Sequence, residues 1–86
     1  MTEHTVRITL KLFAIYQETI GVPEQTLELP VGTTVGDVLS RLITAHPTLA
    51  QWQDLTRFGL NLQFVTAAAA LKEGDELVLI PPVSGG

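Results

Sequence analysis

The sequence predicts an α+β fold, a mixed four- to five-stranded sheet packed on one main helix, followed by an extended C-terminal tail. Three observations predict it. Two early runs, Val6 to Leu12 and Gln25 to Leu29, alternate apolar and polar residues with the period of a half-buried strand. One later run, Val35 to Ile43, carries its apolar residues at helical spacing. A closing apolar run, Leu77 to Ile80, is stopped by Pro81-Pro82, which remove two backbone donors. One helix laid across a sheet is the economical way to bury these faces.

In the first strand Val6, Ile8, Leu10 and Leu12 share one face, while Arg7, Thr9, Lys11 and Phe13 share the other. Phe13 therefore falls on the polar side. Ala14 to Ile20 has room for one or two helical turns before Gly21-Val22-Pro23 ends them. In the second strand Leu27 and Leu29 point inward, with Thr26 and Glu28 outward, and Pro30-Val31-Gly32 closes it. The two strands are expected to form a hairpin-like pair. The main helix starts at Thr34, a good N-cap, with Asp37 three residues on in a capping-box arrangement near the positive end of the helix dipole. Val35, Val38, Leu39, Leu42 and Ile43 form its apolar stripe, Arg41 lies off it, and Pro47 stops it near Ala45-His46. Gly36 in its first turn is a small cost.

Leu49 to Leu55 reads as a short second helix, with Trp52 covering the edge of the core. Phe58 to Asn61 reads as a third strand and Gln63 to Val65 as a short fourth. Ala67 to Ala70 favours helix but is too short to sustain one, so it reads as a connector. Lys72 to Glu76 is a turn in which Gly74 is free to take a positive φ. Leu77 to Ile80 closes the sheet.

Eighty-six residues make one domain, near the lower limit for independent folding. With 45% hydrophobic and 16% charged residues the composition is that of a compact soluble globule. The chain has no cysteine, which excludes disulfides, thiolate metal sites and a cysteine nucleophile. A net charge of −4 argues against nucleic acid, which demands a basic face, and fits a partner with a basic surface. Met1-Thr2-Glu3-His4 lacks the basic, apolar pattern of a signal peptide, and no run approaches the roughly 18 apolar residues of a membrane span. A cytoplasmic product with no membrane partner is expected.

The chemically informative stretch is Pro81-Pro82-Val83-Ser84-Gly85-Gly86. The chain divides into a globular part over 1–80 and a tail over 81–86. Fully extended, that tail reaches roughly 20 Å. Gly85 and Gly86 present no Cβ, so their backbone enters a slot too narrow for other residues. The leading group is the α-carboxylate of Gly86, an anion at neutral pH with a free pKa of about 3.5. It is a poor electrophile, so acyl chemistry requires activation by a partner, for instance as an acyl-adenylate.

On Leu12-Phe13-Ala14 at the end of the first strand, Asn61 closing the third, Gly74-Asp75-Glu76 before the last, and Pro81-Pro82-Val83-Ser84-Gly85-Gly86, the chain resembles the ubiquitin-like β-grasp sulfur carriers of the MoaD/ThiS type. Within that family the Pro-Pro pair makes it most similar to the small subunits of molybdopterin synthase. It departs over Ile15 to Thr19, where the family often has an arginine and this chain has Tyr16-Gln17. The resemblance implies a β-grasp fold and a carrier that is not an enzyme on its own. An ATP-dependent adenylyltransferase related to ubiquitin-activating enzymes would adenylate Gly86, and a sulfur donor would convert it to a thiocarboxylate. The tail would then enter the large subunit of molybdopterin synthase and pass its sulfur to cyclic pyranopterin monophosphate. No cofactor would be bound by this chain; ATP would be used by the activating enzyme.

The resemblance also implies that Phe13, Phe64 and Ile80, apolar residues on the face away from the helix, form a docking patch beside the base of the tail. Other chemistry-bearing residues read as structural. His4 and His46 have no ligand partners at metal spacing, and Ser84 has no nucleophile elbow or base. Glu73, Asp75 and Glu76 read as a solvated hairpin tip, Gly32, Gly36 and Gly59 form no phosphate loop, and Trp52 reads as packing. Three other functions stay open: sulfur delivery for the thiazole of thiamine, covalent modification of lysines through an activated Gly86, and a non-covalent adaptor role.

Overall fold

A computed structural model describes residues 4–82. Five strands, β1 (Thr5–Leu12), β2 (Glu24–Pro30), β3 (Arg57–Leu60), β4 (Gln63–Val65) and β5 (Glu76–Ile80), form one mixed sheet in the order β2-β1-β5-β3-β4. Helix α1 (Ala14–Ile20) bridges β1 and β2, and α2 (Val35–Ala45) is the main helix. A 3₁₀ segment follows over Pro47–Leu55.

Register decides which side chains go inside. β5 pairs parallel with β1 (Leu10 with Leu77, Leu12 with Leu79) and antiparallel with β3 (Leu79 with Phe58, Leu77 with Leu60). Residues paired across strands share a face, so Leu10, Leu12, Leu77, Leu79 and Phe58 meet in one buried layer. Against it pack Val35, Val38 and Leu39 of α2, with Leu42 and Ile43 partly buried, as the helical spacing predicts. β2 adds Leu29, buried, and Leu27, partly buried, through its antiparallel pairing with β1. That pair is joined through α1 rather than by a tight turn. The intervening helix turns at Gly21, which takes φ +96° and returns its N–H to the Gln17 carbonyl at 2.8 Å.

The start of α2 is closed twice over. Thr34 Oγ1 accepts from the Asp37 N–H at 3.1 Å and Asp37 Oδ2 accepts from the Thr34 N–H at 3.0 Å, completing the capping box. Hydrogen bonds to the carboxyl from Thr34, its backbone N–H first and its side chain second, hold Asp37 below its usual range. Their contribution is therefore complete above the ordinary aspartate pKa and is lost as pH falls through the depressed value. The connector at 67–70 supplies the second closure. The N–H groups of Val35 and Gly36 donate to the Ala69 and Ala67 carbonyls at 2.9 and 3.0 Å, satisfying helix-start donors that would otherwise lack partners.

This also accounts for Gly36. A Cβ there would meet the Ala67 Cβ at 2.9 Å and its carbonyl oxygen at 3.0 Å, so the glycine is the condition for the connector to seal the helix. Gly36→Ala is accordingly expected to lower Tm. Alanine gains about 1 kcal/mol of helix propensity, but overpacking costs about 1–3 kcal/mol and disturbs the bond to Ala67. Adding Ala67→Gly removes one of the two close contacts and recovers part of the loss, which thermal denaturation of the three variants measures.

Several boundaries differ from the sequence-based expectation. The third strand begins at Arg57 and ends at Leu60, so Asn61 belongs to a turn and not to the strand. Asn61 and Leu62, at φ 50° and 71°, form a two-residue turn between the paired Leu60 and Gln63, the positive-φ pair of a type I′ hairpin. Glu76 opens β5 instead of ending the preceding turn. Pro30 is the last residue of β2, which tolerates it as an edge strand. The acidic run is a fastening, not a merely solvated hairpin tip. Asp75 accepts from the Lys72 N–H at 2.7 Å and from Asn61 Nδ2 at 2.8 Å. Glu73 accepts from the Arg7 N–H at 2.9 Å, and Glu76 pairs with Lys11 Nζ at 2.8 Å.

Candidate functional site

The outer face of the sheet is divided by strand. Pairing carries one row across it: Glu24, Lys11, Val78, Gly59 and Phe64. A second row joins Ile80 to Arg57. On the β2–β1 side the outward residues are charged or polar; on the β5–β3–β4 side they are largely apolar.

Ile80 is the centre of the apolar half. One groove is lined by Phe13, Ala14 and Ile15 at the start of α1, by Trp52 and Leu55 of the 3₁₀ segment, and by Val78, Ile80, Pro81 and Pro82. A second concavity runs from Ile80, Pro81 and Pro82 to Leu55, Arg57 and Phe64. The three expected patch residues thus gather around the base of the tail, with Phe13 and Phe64 in separate concavities that share Ile80. Phe13 is 49% and Phe64 74% exposed, so neither belongs to the core. Phe13 is not a strand residue: it is the extended residue before α1, and Ala14 follows at φ 51°, where the chain turns away.

The walls of the larger groove are tied together from inside. Tyr16, fully buried on α1, hydrogen-bonds through its hydroxyl to Thr56 Oγ1, and Thr56 Oγ1 donates to the Trp52 carbonyl at 2.8 Å. A threonine hydroxyl has one proton, so with that proton on Trp52 the tyrosine is the donor to Thr56. Burial raises the Tyr16 phenol above its ordinary value, with the bond to Thr56 acting in the opposite sense. The contribution of the neutral phenol is complete below about pH 10 and is lost as pH rises through the raised value. Position 16 is thus a core residue that spaces the groove, not a surface contact. Sequence reading missed this, because a seven-residue helix carries too few turns to display a stripe.

Also missed were Val78, Leu55 and Leu62 as members of the apolar face. The alternation that puts Ile80 outward also puts Val78 there; Leu62 carries no comparable signal. Trp52 packs against the core, as expected, and in addition lines the groove.

Apart from Arg57, the side chains lining the two concavities carry no charge and no general acid or base. Among the described residues no group of three or more His, Cys, Asp or Glu is placed to hold a metal ion. The His4 carbonyl accepts from the Val31 N–H at 2.9 Å, and His46 is the C-cap residue of α2. Among the same residues no helix is long and apolar enough to cross a membrane. Val83, Ser84, Gly85 and Gly86 lie outside the described residues.

Comparison with known proteins gives one consistent result. The model of the ThiS family matches residues 10–86. A molybdopterin synthase sulfur carrier subunit of Chlamydomonas reinhardtii is 42% identical, over 94% of this chain and 100% of its own length. Another, from Arabidopsis thaliana, is 38% identical over 95% of this chain and 85% of its own. The crystal structure of small archaeal modifier protein 1 of H. volcanii superposes with a TM-score of 0.76 at 31% identity, covering 91% of this chain and 99% of the other. The fold is accordingly the ubiquitin-like β-grasp.

Two predictions test the surface. Phe64→Asp leaves the unfolding free energy within the roughly ±0.5 kcal/mol typical of surface changes, while calorimetry with a protein partner registers weaker binding; loss of folding would place Phe64 in the core. In the tyrosine relay the two ends are unequal. Tyr16→Phe removes a bond worth about 1 kcal/mol, whereas Thr56→Val strands the buried phenol and costs about 1–3 kcal/mol, an order that denaturant titration resolves.

Proposed function

The chain belongs to the ThiS family, and on that footing we propose that it is the sulfur-carrier subunit of a molybdopterin synthase, acting in molybdenum cofactor biosynthesis. The observation that carries this reading is the apolar surface converging on Ile80, Pro81 and Pro82, directly before Val83-Ser84-Gly85-Gly86. A carrier needs two things of its fold: a surface that others grip and a terminus that others modify. The apolar surface around Ile80 would supply the grip.

In this reading a ubiquitin-activating-like adenylyltransferase joins the Gly86 carboxylate to the α-phosphate of ATP, with pyrophosphate leaving, to give an acyl-adenylate. Sulfide-level sulfur supplied by a donor then attacks the carbonyl carbon and AMP leaves, giving the thiocarboxylate. The tail enters the large subunit of the synthase, where two such transfers to cyclic pyranopterin monophosphate build the dithiolene. The absence of a Cβ at Gly85 and Gly86 lets the terminus pass through a narrow channel in both partners. The carrier contributes position and identity, and its partners contribute the acids, bases and nucleotide.

Covalent modification of other proteins is the second reading, favoured by the likeness to small archaeal modifier protein 1. Both readings share the activation step and part at the product. Intact-mass measurement of the chain from its native cells is expected to find a gain of about 16 Da, oxygen replaced by sulfur. Deleting Gly86 or adding a residue after it should abolish that gain and, with the large subunit present, dithiolene formation. Conjugates at much higher mass, with no +16 Da species, would favour the modifier.

A further inference from the structure

The two prolines that follow β5 constrain the chain more than the sheet requires. The ladder has already run out of partners where they begin. On one side β1 ends at Leu12, paired with Leu79; on the other β3 begins at Arg57, paired with Ile80. Past Leu12 the chain turns into α1, and before Arg57 lies Thr56, the C-cap of the 3₁₀ segment. A residue of any type at position 81 would find no strand beside it, and a single proline would be enough to close the exit. Two in succession do something further. Each ring fixes its own φ at about −65°, and each holds the residue before it to extended conformations. Those preceding residues are Ile80 and Pro81, so the backbone is stiff from the last strand residue through Pro82.

The stiff pair is also seated on the globule. Pro81 and Pro82 are both half-buried. Both line the groove that includes Phe13 and Trp52, and both line the concavity that includes Arg57 and Phe64. Consecutive prolines against aromatic side chains make a contact of low entropic cost, because the extended proline backbone is already formed. We propose that Pro81-Pro82 is a rigid stalk, a positioning element that fixes the direction in which the terminus leaves the sheet. The proposal rests on the reading of function given above, in which Gly86 is delivered into a partner's active site. Only Val83, Ser84, Gly85 and Gly86 follow the stalk, a reach of roughly 13 Å at full extension. Without the prolines, six residues rather than four would have to be ordered each time the terminus entered a site, and each ordered residue opposes binding. The stalk completes part of that ordering in the free chain. Once the globule is docked, it raises the effective concentration of the Gly86 carboxylate at the site.

The signature is a loss graded with backbone freedom. The assay is ATP–pyrophosphate exchange by the purified activating enzyme at saturating ATP, with the full-length carrier varied. Pro81→Ala/Pro82→Ala is expected to raise the KM for the carrier about tenfold, the scale of two proline substitutions acting on a free chain. Pro81→Gly/Pro82→Gly is expected to raise it about fivefold more, because glycine has more freedom to lose. In both variants kcat stays at the wild-type value, since the bound terminus is unchanged. Tm stays near wild type, since neither proline takes part in the ladder. Three results would overturn the stalk. The first is an unchanged KM in the double alanine variant. The second is equal losses with alanine and glycine, which would make the prolines contact residues and not a constraint. The third is a fall in Tm large enough to unfold the chain, which would make them a requirement of the fold. If the wild-type chain supports no exchange at all, the reading of function falls and the stalk with it. Wild-type exchange with indifferent variants sinks the stalk alone.

Discussion

The pairing register of β5 is the constraint on which the rest depends. It runs between β1 and β3 in the middle of the sheet, parallel to one and antiparallel to the other. With a side-chain period of two, a slip of one residue would exchange Leu77 and Leu79 for Val78 and Ile80. That slip would empty the core and bury the surface at the base of the tail. The register is fixed where β5 begins. Thr9 N–H donates to the Asp75 carbonyl and Asn61 N–H to the Glu76 carbonyl, each at 2.9 Å. The Asn61 side chain accepts from the Glu76 N–H at 2.9 Å and donates to the Asp75 carboxylate at 2.8 Å. One asparagine thus ties the β3–β4 turn to the start of the strand that leads into the tail. The Lys11–Glu76 pair is over a third exposed on both sides, so solvent screens it; the backbone and amide bonds set the register.

Local signals were legible in the sequence and non-local ones were not. Alternation placed Val6, Ile8, Leu10 and Leu12 inward, and the Thr34–Asp37 spacing announced the capping box, because each is determined within a few residues. Strand order was beyond reach, since nothing local says that β5 inserts between β1 and β3. Gly36 looked like a helix defect because its reason, Ala67, lies 31 residues away. The segment before β3 reads from the sequence as a short second helix over Leu49 to Leu55 and is a 3₁₀ run over Pro47–Leu55. Its signal was present: Leu49, Trp52 and Leu55 recur every third residue, the spacing that eclipses side chains in a 3₁₀ helix.

The site was half legible for the same reason. Phe13, Phe64 and Ile80 could be assigned to the outer face from strand period and family likeness. That Phe13 and Phe64 sit in separate concavities joined at Ile80 follows from the three-dimensional placement of α1 and the 3₁₀ segment. The buried Tyr16–Thr56 bond spans 40 residues, and neither partner's neighbours in sequence hint at the other.

A carrier faces opposed requirements on its surface. Under the proposed function it would have to expose apolar side chains while free, for partners to grip, yet large exposed apolar patches invite association with the wrong partner. The sheet resolves this by segregation. Arg7, Lys11, Glu24, Glu28 and Glu76 occupy the outer face of β2, β1 and the start of β5, and leave the apolar half only the strip beyond Val78. β2, the long edge strand, ends in proline and carries Glu24 and Glu28, both of which discourage strand-to-strand pairing. The opposite edge, β4, is only three residues long. With both edges blunted and a net charge of −4, non-specific pairing is suppressed while the strip around Ile80 stays open.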